Sequence, residues 1–147
     1  MKEVVVHDKA KWHFEGKFPP ELDRRQAYVP GGLLLAWLAS RGLLSQMAER
    51  EFAPELLRLR SRSITGPEAY RLLGGVLASD LLDPEADAFL ADYLDPDRGG
   101  YWGDHGQLAA GLPSEYHVPD TWASYERIEP MIETSFSRWR ARTARPT

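Results

Sequence analysis

Apolar residues along this chain of 147 residues recur mostly at helical spacing. The clearest stripe is the last. Trp122, Tyr125, Ile128, Ile132, Phe136 and Trp139 follow one another at intervals of three or four residues, which predicts a long helix from Asp120 or Thr121. Pro130 lies inside it and should kink it. Ala86, Phe89, Leu90 and Tyr93 make a shorter stripe behind Asp83-Pro84-Glu85, which offers a cap, a first-position proline and a first-turn acid. Leu33 to Ala39 is apolar on every side, so the helix that Pro30 opens and Gly42 stops should be central and buried. Phe52, Leu56, Leu57 and Leu59 mark a helix from Ser45 to about Arg62 that Pro54 breaks or kinks. Thr65-Gly66-Pro67-Glu68 reads as a capping box, with Thr65 taking the Glu68 N–H and the Glu68 carboxylate reaching back. That helix stops at Gly74-Gly75. Asp95 to Gly103 reads as loop, with a short helix over Asp104 to Ala110.

The N-terminus lacks this period. Val4-Val5-Val6 suits a short edge strand, and residues 7–28 read as an irregular arm stiffened by Pro19-Pro20. Within KWHFEGKFPP, alternation predicts an extended segment. Trp12, Phe14 and Phe18 should then turn to the core, with His13 and Glu15 outward. The fold class that follows is mainly α: one compact helical domain over 1–147, with an irregular arm (1–28), a helical body (29–142), long ordered loops and a frayed tail (143–147).

Charge changes the picture. The net charge is −4, distributed as +3 over residues 1–62, −10 over 63–126 and +3 over 127–147. An acidic middle either presents a face to a basic partner or is neutralised by the basic ends folding back on it. An acidic overall balance and the absence of a recognisable module argue against nucleic acid, despite Arg58, Arg60 and Arg62 and the arginines near Trp139. No apolar run is long enough for a membrane span, and the N-terminal apolar stretch is too short for a secretory signal, so a cytoplasmic location is expected.

Candidate chemistry is sparse. Without cysteine there is no disulfide, thiolate site or cysteine nucleophile. His7, His13, His105 and His117 show no metal-binding spacing, and Asp95-Pro96-Asp97-Arg98-Gly99-Gly100 lacks two ligands of a calcium loop. Phosphate-loop, dinucleotide and serine-elbow motifs are missing. No metal, no cofactor and no catalytic residue is expected. Trp37, Trp122 and Trp139 fall on core stripes, whereas Trp12, Trp102 and Tyr116 fall in loops where a recognition surface could form.

KWHFEGKFP, QAYVPGGLLLAWLASRGLL, SITGPEAY and GLPSEYHVPDTWASYERIEPMI, in that order, resemble an uncharacterised family of small, mostly helical bacterial domains. The resemblance implies a single helical domain of the kind associated with toxin immunity, and it carries over no catalytic residue. The expected function is therefore a non-catalytic protein-binding domain: an immunity protein that neutralises a basic toxin through Asp92, Asp95, Asp97 and Asp104 around Trp102. Two rivals stand beside it. One is a small enzyme whose site assembles across loops from His13, Glu15, His105 and His117. The other is a structural or regulatory oligomeric module.

Overall fold

A computed structural model describes residues 3–144. The fold is mainly α. Among the described residues, eight α-helices build one core beside one two-stranded antiparallel sheet. Helix α2 (Val29–Ser40) is buried from Val29 to Ala39, as its all-round apolar pattern requires. Gly42, at φ +68°, ends it, and Leu43 N–H closes onto Leu38 O at 3.0 Å. Helix α5 (Gly66–Leu72) crosses α2 with backbone against backbone. A Cβ on Gly32 would lie 2.8 Å from Gly66 C, and one on Gly66 would lie 2.9 Å from Gly32 C. Two glycines therefore set how closely the helices approach.

The helix signals hold with instructive exceptions. Ser45 caps α3 (Gln46–Glu51), and the chain breaks at Phe52 before α4 (Ala53–Arg60), where Pro54 sits in the first turn. Thr65 accepts from Glu68 N–H at 3.3 Å, but the Glu68 carboxylate bonds Arg71 at 2.6 Å. Only half of the capping box forms, because a guanidinium one turn along is a stronger partner than a backbone N–H. Asp83 caps α6 (Pro84–Tyr93). Helix α7 (Gly100–Leu108) begins four residues before the expected Asp104, since Gly99 and Gly100 adopt positive φ and turn the chain into it. Thr121 caps α8 (Trp122–Thr143), which runs unbroken across Pro130. Its stripe buries Tyr125, Ile128, Ile132 and Phe136, and Phe136 packs, at 5.2 Å between ring centres, on Trp37, whose Nε1–H reaches Glu133 at 2.8 Å.

The arm departs most from expectation. It is ordered: β1 (Val6–Lys9) pairs antiparallel with β2 (Val76–Ala78), a strand that carries no sequence signal. Residues Ala10–Glu15 then form helix α1, and Arg24–Tyr28 a 3-10 turn leading into α2. Helical geometry spreads side chains around an axis instead of alternating them, so the expected faces are corrected. Trp12 is 51% exposed and Phe14 36%, while His13 turns inward. Phe18 does pack, on Tyr116 at 5.2 Å between ring centres. The frayed tail expected over 143–147 lies mostly outside the described residues, and α8 extends to Thr143.

The charged ends fold onto the acidic middle. Arg140 bonds Glu85 at 2.7 Å, Arg142 bonds Asp92 at 3.1 Å, and Arg62 bonds Glu126 at 2.7 Å. No helix among the described residues is long and apolar enough to cross a membrane.

Candidate functional site

Two features meet at the arm: a buried polar network and an open basic cavity. The network centres on Asp8 of β1, only 2% exposed. Its Oδ1 lies 2.6 Å from His13 Nε2, and its Oδ2 accepts from the Tyr70 hydroxyl at 2.9 Å. His13 Nε2 thus hydrogen-bonds that carboxylate, while its Nδ1 lies 3.0 Å from the Tyr116 hydroxyl. Burial, and then the charge of Asp8, push the Tyr70 phenol far above its usual range and keep it a donor.

His105 of α7 completes the cluster. It has no exposed surface, and neither ring nitrogen has a hydrogen-bond partner among the described residues. Burial, with a smaller contribution from the charge of neighbouring His13, lowers its pKa to about 4. The ring is therefore neutral at pH 7, with one donor and one acceptor unmet.

A carboxylate-oriented histidine has the parts of a general base. Here the free nitrogen is taken by Tyr116 and the His13 side chain is 11% exposed, so the closed network fastens α1 and β1 to the body. Of the four residues expected to assemble an enzyme site, the fold brings His13 and His105 together. It leaves Glu15 exposed on α1 and sets His117 in a separate contact with Ser114, at 2.8 Å. His7 bonds Asp87 at 2.7 Å. Among the described residues, no three His, Asp or Glu side chains converge as metal ligands would. Asp8 and Tyr70 escaped sequence reasoning: one acid among 22 and one tyrosine on a helical face carry no local mark.

The second feature is open. A cavity of about 380 Å³ lies under α1, lined by Lys9, Lys11, Phe14, Arg24, Tyr28 and the Gly74-Gly75 turn. Its lining holds three cations and no carboxylate. The Arg24 guanidinium stacks on Phe14 at 4.4 Å, and Lys9 Nζ lies 5.9 Å from the Trp12 ring. Gly75 sits at φ +70°, where a Cβ would meet Tyr28 at 2.9 Å, so the turn requires glycine.

The acids expected to meet a partner are mostly engaged within the chain. Asp92 holds Arg98 at 3.0 Å and Arg142 at 3.1 Å. Asp95 accepts from Asp97 N–H at 3.0 Å and lies 3.6 Å from Arg98. Asp104 takes the hydroxyls of Tyr93 and Ser135. Asp97 is exposed. Trp102 is half-buried, donates from Nε1 to Leu94 O at 3.0 Å and lies tilted beside His13 at 5.3 Å between ring centres.

Fold and site together define a small, mainly α domain whose N-terminal strand and helix are clamped by a buried Asp–His–Tyr network and border a basic, aromatic cavity. A family model described as a domain of unknown function (DUF7832) matches residues 6–118, from the start of β1 to the end of the turn that holds Tyr116. The chain belongs to that family. No curated protein and no solved structure matches it.

Proposed function

We propose that this chain is a non-catalytic domain that binds another protein, with the arm as its contact face. The observation that carries the reading is the exposure of Phe14 in a cavity lined by Lys9, Lys11 and Arg24 without a carboxylate, with exposed Trp12 next to Lys9. Large exposed aromatics beside cations are the residue types that dominate binding energy at interfaces. The fitting occupant is an acidic segment of a partner protein that brings an apolar side chain into the cavity, because three cations have no internal counter-charge in the lining. Toxin immunity is one form of this reading. It then calls for a toxin that is acidic at the contact, and it assigns Asp92, Asp95 and Asp104 to holding the fold.

Co-expression with the product of the adjacent gene tests it. Complex formation and loss of toxicity, both abolished by Trp12→Ala with Arg24→Glu while the thermal melt is unchanged, are the expected results. A harmless or unbound neighbour would overturn the immunity form. A complex insensitive to the arm variants but lost on Asp97→Lys would move the contact to the acidic loop and refute the arm as the face.

A further inference from the structure

We propose that a cleft between α6, α7 and α8 binds a phosphate group. The cleft measures about 240 Å³, and Phe89, Asp92, Arg98, Ser135, Arg138 and Arg142 line it. It shares no lining residue with the arm cavity. This is the segment whose acids suggested a basic partner, yet in space its cleft is ringed by arginine.

The Asp92 carboxylate holds both Arg98 and Arg142, at 3.0 and 3.1 Å, and so fixes two long side chains on the rim before any ligand arrives. Arg138 has no carboxylate within 4.0 Å among the described residues. The other acids nearby are already engaged: Asp95 lies 3.6 Å from Arg98, and Asp104 takes the Tyr93 and Ser135 hydroxyls. Within the lining three guanidiniums face one carboxylate, and with Asp95 also on Arg98, Arg138 is the guanidinium of the cleft left without a carboxylate partner among the described residues. A phosphate group near neutral pH carries close to two negative charges and several acceptor oxygens, which guanidinium forks engage in pairs. A carboxylate offers only two acceptor oxygens to these guanidiniums. The rings of Phe89 and Tyr93 offer a wall for the organic part of a monoester.

Calorimetric titration of the full chain at constant ionic strength tests this, with inorganic phosphate in one arm, phenyl phosphate in the second and acetate as the monovalent control. The expected result is saturable one-to-one phosphate binding. It should weaken at least about tenfold in Arg138→Gln, recover in part in Arg138→Lys and stay unchanged in Lys11→Gln, a residue of the other cavity. Tighter binding of phenyl phosphate assigns the site to an ester, and equal binding assigns it to the free ion. No saturable heat, equal binding of acetate, or loss in Lys11→Gln with Arg138→Gln unaffected would overturn the proposal. Arg138 is exposed and without an ion-pair partner, so its variants should keep the wild-type melting temperature.

Discussion

Replacing His105 with leucine should leave the protein as stable as wild type at pH 7.5, or more so, and remove part of its acid sensitivity. The imidazole is fully buried with both nitrogens unpartnered, and an unmet buried donor or acceptor costs about 1–3 kcal/mol. Leucine removes that cost and keeps an apolar side chain among the surrounding rings. The pH dependence follows from the lowered pKa of about 4 against the ordinary 6.5 of an imidazole. Between those values the unfolded chain binds a proton that the folded chain refuses, so stability falls as pH falls through the window. At about 1.4 kcal/mol per pH unit, the loss between pH 7.5 and 5.0 comes to about 2 kcal/mol, growing to about 3 kcal/mol below pH 4. Glu49, Glu68 and Glu85 have carboxyls held below their usual range by hydrogen bonds to arginine. They also lose their contribution in acid, but equally in both proteins, so the difference between wild type and His105→Leu isolates the imidazole. Urea unfolding at pH 7.5, 6.0 and 5.0 measures that difference. A gap that does not change with pH, or a variant several kcal/mol less stable at pH 7.5, would refute the reasoning.

Further outcomes follow from the same contacts. Asp8→Ala leaves the Tyr70 hydroxyl and His13 Nε2 without their buried partner, and should cost about 2–5 kcal/mol in a denaturant melt, with Asp8→Asn costing less. His13→Ala should destabilise by about 1–3 kcal/mol, whereas Trp12→Ala, at a half-exposed position, should stay within about 0.5 kcal/mol. Gly31→Ala places a Cβ 2.6 Å from Tyr70 Cζ and 2.7 Å from Asp8 Oδ2. It should therefore lower stability by at least about 1–3 kcal/mol and release the arm to hydrogen exchange.

The charge pattern illustrates how a composition argument turns in three dimensions. A segment of net charge −10 looks like a ready face for a cation. Folding brings Arg140 and Arg142, about 50 residues downstream, onto Glu85 and Asp92, at |i−j| of 55 and 50. Most of these pairs are well exposed and contribute little to stability. Their larger effect is on recognition. They offset Glu85 and Asp92, while Lys9, Lys11 and Arg24 in the arm cavity and Arg138 in the cleft have no ion-pair partner among the described residues, where linear reading places no site.

Sequence alone determined the helices of the body and the capped starts of α3, α5, α6 and α8, but neither α1 nor the start of α7. Caps at Ser45, Thr65, Asp83 and Thr121 act within three residues, and the stripe from Trp122 to Trp139 repeats at the helical period, so both are legible in a short window. The central place of α2 was equally legible, because a segment apolar on every side has no solvent face. Only the tertiary structure decided which way the arm faces. His13 turns inward because Asp8 and Tyr116 wait for it, and Tyr116 lies 103 positions away. That choice rests on a buried carboxylate needing donors, a long-range demand that no local period records.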